Sequence, residues 1–437
     1  MTEKSEKKMH ASFSKKPIFP WLMWGTAVTF YFFQFILRVS PGAMADDIMH
    51  DLLLDACFLG TLTSFYYYGY ACSQVPMGLI IDKLGPKRPL LFSCMLCALG
   101  CFVFASGHSV FVMSLGRLLI GIASAMGLIV CLKTSTQWFP SRRLPILISL
   151  TMFVGTIGGA GAGAPLSEVV SLIGWRATIT YLSFIALGLG CFVWLFKRDC
   201  PPVVDDKVEK LKVFEALRFI IGRPQTWIIG LYGCLMYIPL SGVADLWAIP
   251  YIQQAFSAEK STAASTVTLF YVGLAMGAPL WAILSNKLEN HLIPMRLSAF
   301  LTGGVFVAIV CMPFFNFSPI YILDKHLSIT PFTVTSGLFF LGGSFSAGQF
   351  MAFAVVASLN PLNINATATG FHNMLCMFSG VAQMAIGLML DWSWKGMYVG
   401  GVPVYKTIDY QTALFFVPIC LAIAFVLTFF IREKKVT

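Results

Sequence analysis

Charge is scarce in this chain. Asp, Glu, Lys and Arg make up 11% of its 437 residues, less than half of the roughly 25% usual in soluble domains. Hydrophobic residues make up 57%. A chain with so little charge cannot cover a water-facing surface, which excludes a soluble enzyme and a disordered segment alike. Acids are the scarcer sign, 20 against 30 Lys and Arg, for a net charge of +10. That excess does not point to nucleic acid, because the basic residues sit in short loops between apolar spans. Also missing are a phosphate-binding loop, an ATP-binding cassette and a histidine cluster, so neither a cofactor nor a metal is expected and the chain reads as a non-enzyme. Any energy source is then an ion gradient or the solute gradient itself. The twelve cysteines lie mostly inside apolar runs. Cys94, Cys97 and Cys101 share one helix face with no histidine nearby, and read as small packing residues. No cleavable signal peptide is visible: Met1 to Lys16 is polar and lysine-rich, and Ile18 onward has the length of a full span.

What the chain has in abundance is apolar runs of spanning length, about 20 residues each. Twelve are expected, at 18–40, 54–80, 88–107, 109–134, 145–170, 177–197, 226–252, 262–285, 295–315, 331–358, 366–390 and 411–431. The longest polar interruption, Lys197 to Arg223, divides them six and six and ends in an amphipathic stretch from Val208 to Ile221. The predicted organisation is an all-α integral membrane protein: a bundle over 1–197 with its N-terminal tail, a linker over 198–225, and a second bundle over 226–437. Of the 30 Lys and Arg, 22 fall in the tails and in loops on the side of the termini, five in the opposite loops and three inside spans. The positive-inside rule then puts both termini in the cytoplasm. A shift of 204 residues aligns Gly69 with Gly273, Gly78 with Ala282, Asp82 with Asn286, Lys83 with Lys287 and Leu84 with Leu288. Two parallel copies of one bundle are expected, the second having replaced its acid with Asn286 and its turn glycine with Glu289.

The hairpin between the second and third spans runs Gly78-Leu79-Ile80-Ile81-Asp82-Lys83-Leu84-Gly85-Pro86-Lys87-Arg88. With glycines, acid and bases in order at the end of an apolar span, it resembles the signature loop of the major facilitator superfamily. Arg117-Leu118-Leu119-Ile120-Gly121 is similar to that family's fourth-helix motif. Gly155, Gly159 and Gly163 before Ala164-Pro165 resemble its fifth-helix motif, but here Leu166-Ser167 replaces the glycine pair that follows, which weakens any antiport reading. The segments Phe32–Met44, Tyr66–Tyr70 and Leu246–Tyr251 look like the phagosomal nutrient transporters of intracellular bacteria. The resemblance implies a twelve-helix secondary transporter working by alternating access. It also implies a gating role for Asp82 and Arg88 in the signature loop, and import of amino acids and nucleosides.

Ionisable residues inside spans are functional candidates by default. Arg38 and Asp245 fall at similar depth in the first and seventh spans, which occupy equivalent places in the two halves. They are expected to face each other, with Pro239, Ser241 and Gly242 loosening the helix before Asp245. Arg38 would hold a substrate carboxylate, and Asp245 an ammonium group or the coupling proton. Arg117 lies about 12 Å from its helix end at 1.5 Å per residue, and reads either as a coupling residue or as a strut bonded to backbone carbonyls. His372 is in range to carry protons, with burial as a neutral hydrogen-bonder as the other reading. Gln34, Tyr67, Gln349 and Asn373 complete the candidate solute-binding set. The expected partners are a small-molecule solute, a proton as coupling ion and the lipid bilayer, and the expected state is a monomer in a bacterial inner membrane. The expected function is proton-coupled import of a small carboxylate-bearing nutrient. Efflux of hydrophobic compounds and solute sensing without transport are the alternatives.

Overall fold

The computed structural model describes residues 18–198, 213–315, 320–322, 327–361, 364–396 and 398–433. The side chains of Asp82 and Lys83, the N-terminal lysines and most of the linker lie outside the described residues. Among the described residues eleven helices are long and apolar enough to cross a membrane, and Ala56–Leu84, entered through a 118° turn from the short helix Ala45–Leu52, supplies a twelfth. In chain order they are α1 (Ile18–Ala43), α2 (Ala56–Leu84), α3 (Lys87–Ser106), α4 (Val110–Trp138), α5 (Ile146–Ile173), α6 (Trp175–Phe196), α7 (Pro224–Phe256), α8 (Lys260–Leu288), α9 (Leu292–Phe314), α10 (Pro331–Leu359), α11 (Thr367–Ser393) and α12 (Thr407–Leu427). The amphipathic stretch before α7 is helical over Val213–Ile221.

The same neighbours recur in both halves. In the first, α2 packs on α4, α3 on α4 and α6, and α1 on α5; in the second, α8 packs on α10, α9 on α10 and α12, and α7 on α11. Glycines make the closest helix contact in each half. Gly69 and Gly121 bring the α2 and α4 backbones into contact, and Gly273 and Gly343 do the same for α8 and α10. In lipid, helix association rests on such close packing because burial of apolar surface gives little.

The decayed copy of the signature turn keeps its sharp bend. Gly85 ends α2 with φ 73°, and Glu289 ends α8 with φ 49°, ψ 33°. A left-handed backbone costs a residue with a Cβ roughly 1–2 kcal/mol, partly offset by the entropy glycine loses on folding. Glu289→Gly is therefore expected to be neutral or to raise the thermal midpoint slightly. A large drop would show that the exposed Glu289 side chain does something the turn alone does not require.

Contacts between the halves gather in the part of the helices remote from the termini, so the molecule is closed on that side. There α1 meets α7, α2 meets α11 and α5 meets α8. Several helices of the second half depart from α geometry. α7 is π-helical over Pro239–Trp247, and α10 and α11 narrow to 3-10 turns at Ala347–Phe350 and Phe378–Gly380. The loosening near Pro239 was legible in the sequence; the other two carry no proline and were not.

Candidate functional site

Pro239 has no N–H to donate, and the wide π-helical turns that follow it re-aim the side chains they carry. This stretch is braced from α11 through both backbone and side chains. The Gln383 amide donates to the Ser241 carbonyl (2.7 Å), the Ser241 hydroxyl to Ser379 (2.8 Å), and the Trp247 indole to the Gln383 carbonyl (2.9 Å). The turn so held presents Asp245 to α1. Gly42 of α1 lies against the Asp245 carbonyl, where a Cβ would approach to 2.8 Å, so only glycine lets the two helices touch here.

Arg38 and Asp245 meet directly. The Arg38 Nε donates to Asp245 Oδ2 at 2.7 Å, and both residues are buried, 4% and 1% exposed. The Arg38 Nε also donates to the Tyr67 hydroxyl (3.2 Å), and Nη1 to the Tyr237 hydroxyl (2.8 Å). The hydroxyls of Tyr67 and Tyr271 each donate to the Asp245 carboxylate, one per oxygen. The guanidinium carbon lies 5.2–5.4 Å from the ring centres of Phe35, Tyr67 and Tyr237, within the range of cation–π attraction. One guanidinium nitrogen, Nη2, is buried and has no partner.

Arg117 lies just behind this pair. Its Nη1 donates to the Leu37 carbonyl at 2.7 Å and its Nη2 to the Arg38 carbonyl at 3.3 Å. Pro41 cannot supply the N–H that would normally bond the Leu37 carbonyl, and the Ser40 hydroxyl (3.0 Å) shares that carbonyl with Arg117. Gly121, one turn further along α4, brings α4 close enough to α2 for Arg117 to reach α1 across the Tyr66 ring, 4.9 Å away. The geometry is that of a strut on the helix segment that carries Arg38.

The other sequence candidates divide. Gln34 accepts from the Tyr66 hydroxyl at 2.9 Å. Asn373 and Gln74 neighbour the Tyr70 hydroxyl. Gln349 is buried at the α10 break with both ends of its amide unpartnered. His372 is buried against Phe353 and Cys376, beside a cavity of about 200 Å³ that Arg223 and Asn360 also line near the terminal face. Its described contacts lie apart from those of Arg38. Arg88 is exposed in the first turn of α3. Sequence reasoning missed Tyr237 and Tyr271. The second was within reach, because the 204-residue shift that pairs Gly69 with Gly273 also lays Tyr67 over Tyr271.

A further missed feature closes the remote face. Asp391, at the end of α11, accepts from the first free N–H groups of α2: Ala56 at 3.2 Å and Cys57 at 2.8 Å. The Tyr405 hydroxyl donates to the same carboxylate and accepts from Ala56 N–H (2.9 Å). A carboxylate at a helix N-terminus is favoured by the dipole, and here the two groups belong to opposite halves. Asp391→Asn is expected to loosen this closure, so that a membrane-impermeant maleimide labels the half-buried Cys57 several-fold faster. An unchanged rate at Cys57, followed by peptide mass spectrometry, would show the contact to be incidental.

Known proteins place this architecture. A profile of the Major Facilitator Superfamily matches residues 22–384. The membrane sensor protein UhpC of Salmonella typhimurium is 21% identical over 398 residues, 86% of each chain. The probable sulfoacetate transporter SauU of Cupriavidus necator is 25% identical over 177 residues, 40% of this chain and 41% of its own. Among solved structures, a bacterial homologue of the human lysosomal transporter Spinster, inward-facing and unoccupied, superposes with a TM-score of 0.77 at 16% identity, covering 95% of this chain and 97% of that one. The nucleoside transporter NupG does so at 0.70 and 14% identity, covering 94% and 100%.

Proposed function

From the premise that this chain belongs to the major facilitator superfamily, we propose that it imports a small carboxylate-bearing nutrient with a proton, through a seat built on Arg38 and Asp245. The coarser reading, a multi-pass membrane transporter and not an enzyme, follows from the family and the fold together. The observation that carries the finer one is the ion pair itself. It joins α1 to α7, one helix from each half, at the place where the halves meet.

A guanidinium matches a carboxylate in shape and charge. A substrate carboxylate arriving at Arg38 replaces Asp245 as its counter-ion. The displaced aspartate would be a charge in a low-dielectric interior, which is costly unless it is neutralised. Taking a proton neutralises it, with the hydroxyls of Tyr67 and Tyr271 already in place around it. Substrate anion and proton then cross together, and the pair re-forms after release. Both termini lie in the cytoplasm on the loop-charge asymmetry, so the closed face is the outer one. Uptake of labelled substrate by proteoliposomes, driven by an inward proton gradient, tests this reading.

A second reading is solute sensing without transport. The likeness to a protein named a membrane sensor favours it. Saturable binding with no accumulation in the same proteoliposomes would decide for the sensor.

A further inference from the structure

Around Arg38 the unfilled hydrogen-bonding valence belongs to a donor and not to the carboxylate. Among the described residues Asp245 is the one acid bonded to Arg38, and both its oxygens are taken, Oδ2 by Arg38 Nε and the Tyr67 hydroxyl, and Oδ1 by the Tyr271 hydroxyl. The open valence is on the other side: Arg38 Nη2 is buried with no partner. Arg117, 1% exposed, adds a second cation whose described partners are backbone carbonyls and the Tyr66 ring, with no carboxylate among them. Two guanidiniums against one carboxylate leave this part of the interior formally positive. Buried charge in a membrane is expensive and is kept where it serves a pathway. A positive cluster with an unfilled N–H donor selects a negative oxygen, and its one carboxylate, once displaced from Arg38, takes the coupling proton and is then neutral toward an ammonium group.

Resting on the reading that Arg38 is the substrate seat, we propose that the solute is an anion with no ammonium group: a simple carboxylate or a similar oxyanion, and not a zwitterionic amino acid. Asp245 serves as the built-in anion that fills the seat when the substrate is absent, and the substrate must outcompete it. An amino acid would bring a cation beside Arg38 and Arg117, and the like charges would repel it.

The test uses the full-length protein purified in detergent and matched pairs of probes: glycolate with glycine, lactate with alanine, succinate with aspartate. The readout is thermal midpoint against ligand concentration, which rises when a ligand binds the folded state. The expected result is that the amine-free member of at least one pair stabilises the protein at a concentration at least tenfold lower than its amino counterpart. Asp245→Asn should keep or tighten that binding, since the internal competitor is gone. An amino acid that binds as well as its amine-free partner, and weakens on Asp245→Asn, overturns the inference while leaving Arg38 as the seat. Silence of all three amine-free probes overturns it as well. Binding of any probe that persists in Arg38→Ala overturns the seat itself, so the two failures are distinguishable.

Discussion

Arg38→Ala is expected to abolish saturable uptake. The loss has two parts that can be separated. The substrate loses its counter-ion, and Asp245 is left as a carboxylate without a cation between two helices, a situation that costs about 3–5 kcal/mol where a buried pair loses one member. Stability should therefore fall together with transport. Adding Asp245→Asn to the same chain removes the stranded charge and should recover most of the thermal midpoint, while uptake stays absent. Arg38→Lys keeps the charge but loses the planar fork and its several donors. It should fold and raise KM tenfold or more, on the order of 1.4 kcal/mol of lost recognition. Wild-type KM in Arg38→Lys, or uptake in Arg38→Ala, would reduce Arg38 to a structural link between α1 and α7.

Asp245→Asn carries the second large effect. The amide is close in shape: its oxygen can accept from one of the two hydroxyls that hold the carboxylate, and its NH2 can donate to the other. What it cannot do is bind and release a proton. Substrate exchange across the membrane should continue, because exchange needs only that the loaded carrier reorient. Accumulation against a gradient should be lost, because return of the empty carrier depends on re-forming the pair with Arg38. An Asp245→Asn protein that still concentrates solute in response to a pH gradient would place the proton elsewhere.

Much of this was legible in the sequence because membranes restrict the options. Apolar runs of fixed length gave the helices. Arg38 and Asp245 stood out because a charge in a span is rare, and counting along two equivalent helices put them level. The tyrosines around them were harder to see. Tyr237 and Tyr271 look like ordinary residues of apolar helices until the π-helical turn at Pro239–Trp247 aims Asp245 at α1. Arg117 was left between a coupling role and a strut, and the carbonyl freed by Pro41 gives it the contacts of a strut. Asp391 gave no signal, since an acid at the end of a span is usually a solvated rim residue. Only the folded chain shows it on the first N–H groups of α2. The breaks in α10 and α11 were illegible for a similar reason: no proline marks them, and the small residues there, Gly348, Ser379 and Gly380, are common throughout the chain.

The central claim is that one ion pair couples an anion to a proton, and proton flux tests it most directly. Proteoliposomes carrying an internal pH indicator should acidify when the amine-free anion that stabilises the protein is added outside, with no initial pH gradient imposed. The rate should saturate with the anion and vanish in Asp245→Asn, although that variant still exchanges labelled anion. Labelled uptake without acidification, or acidification that survives in Asp245→Asn, would contradict the coupling described here.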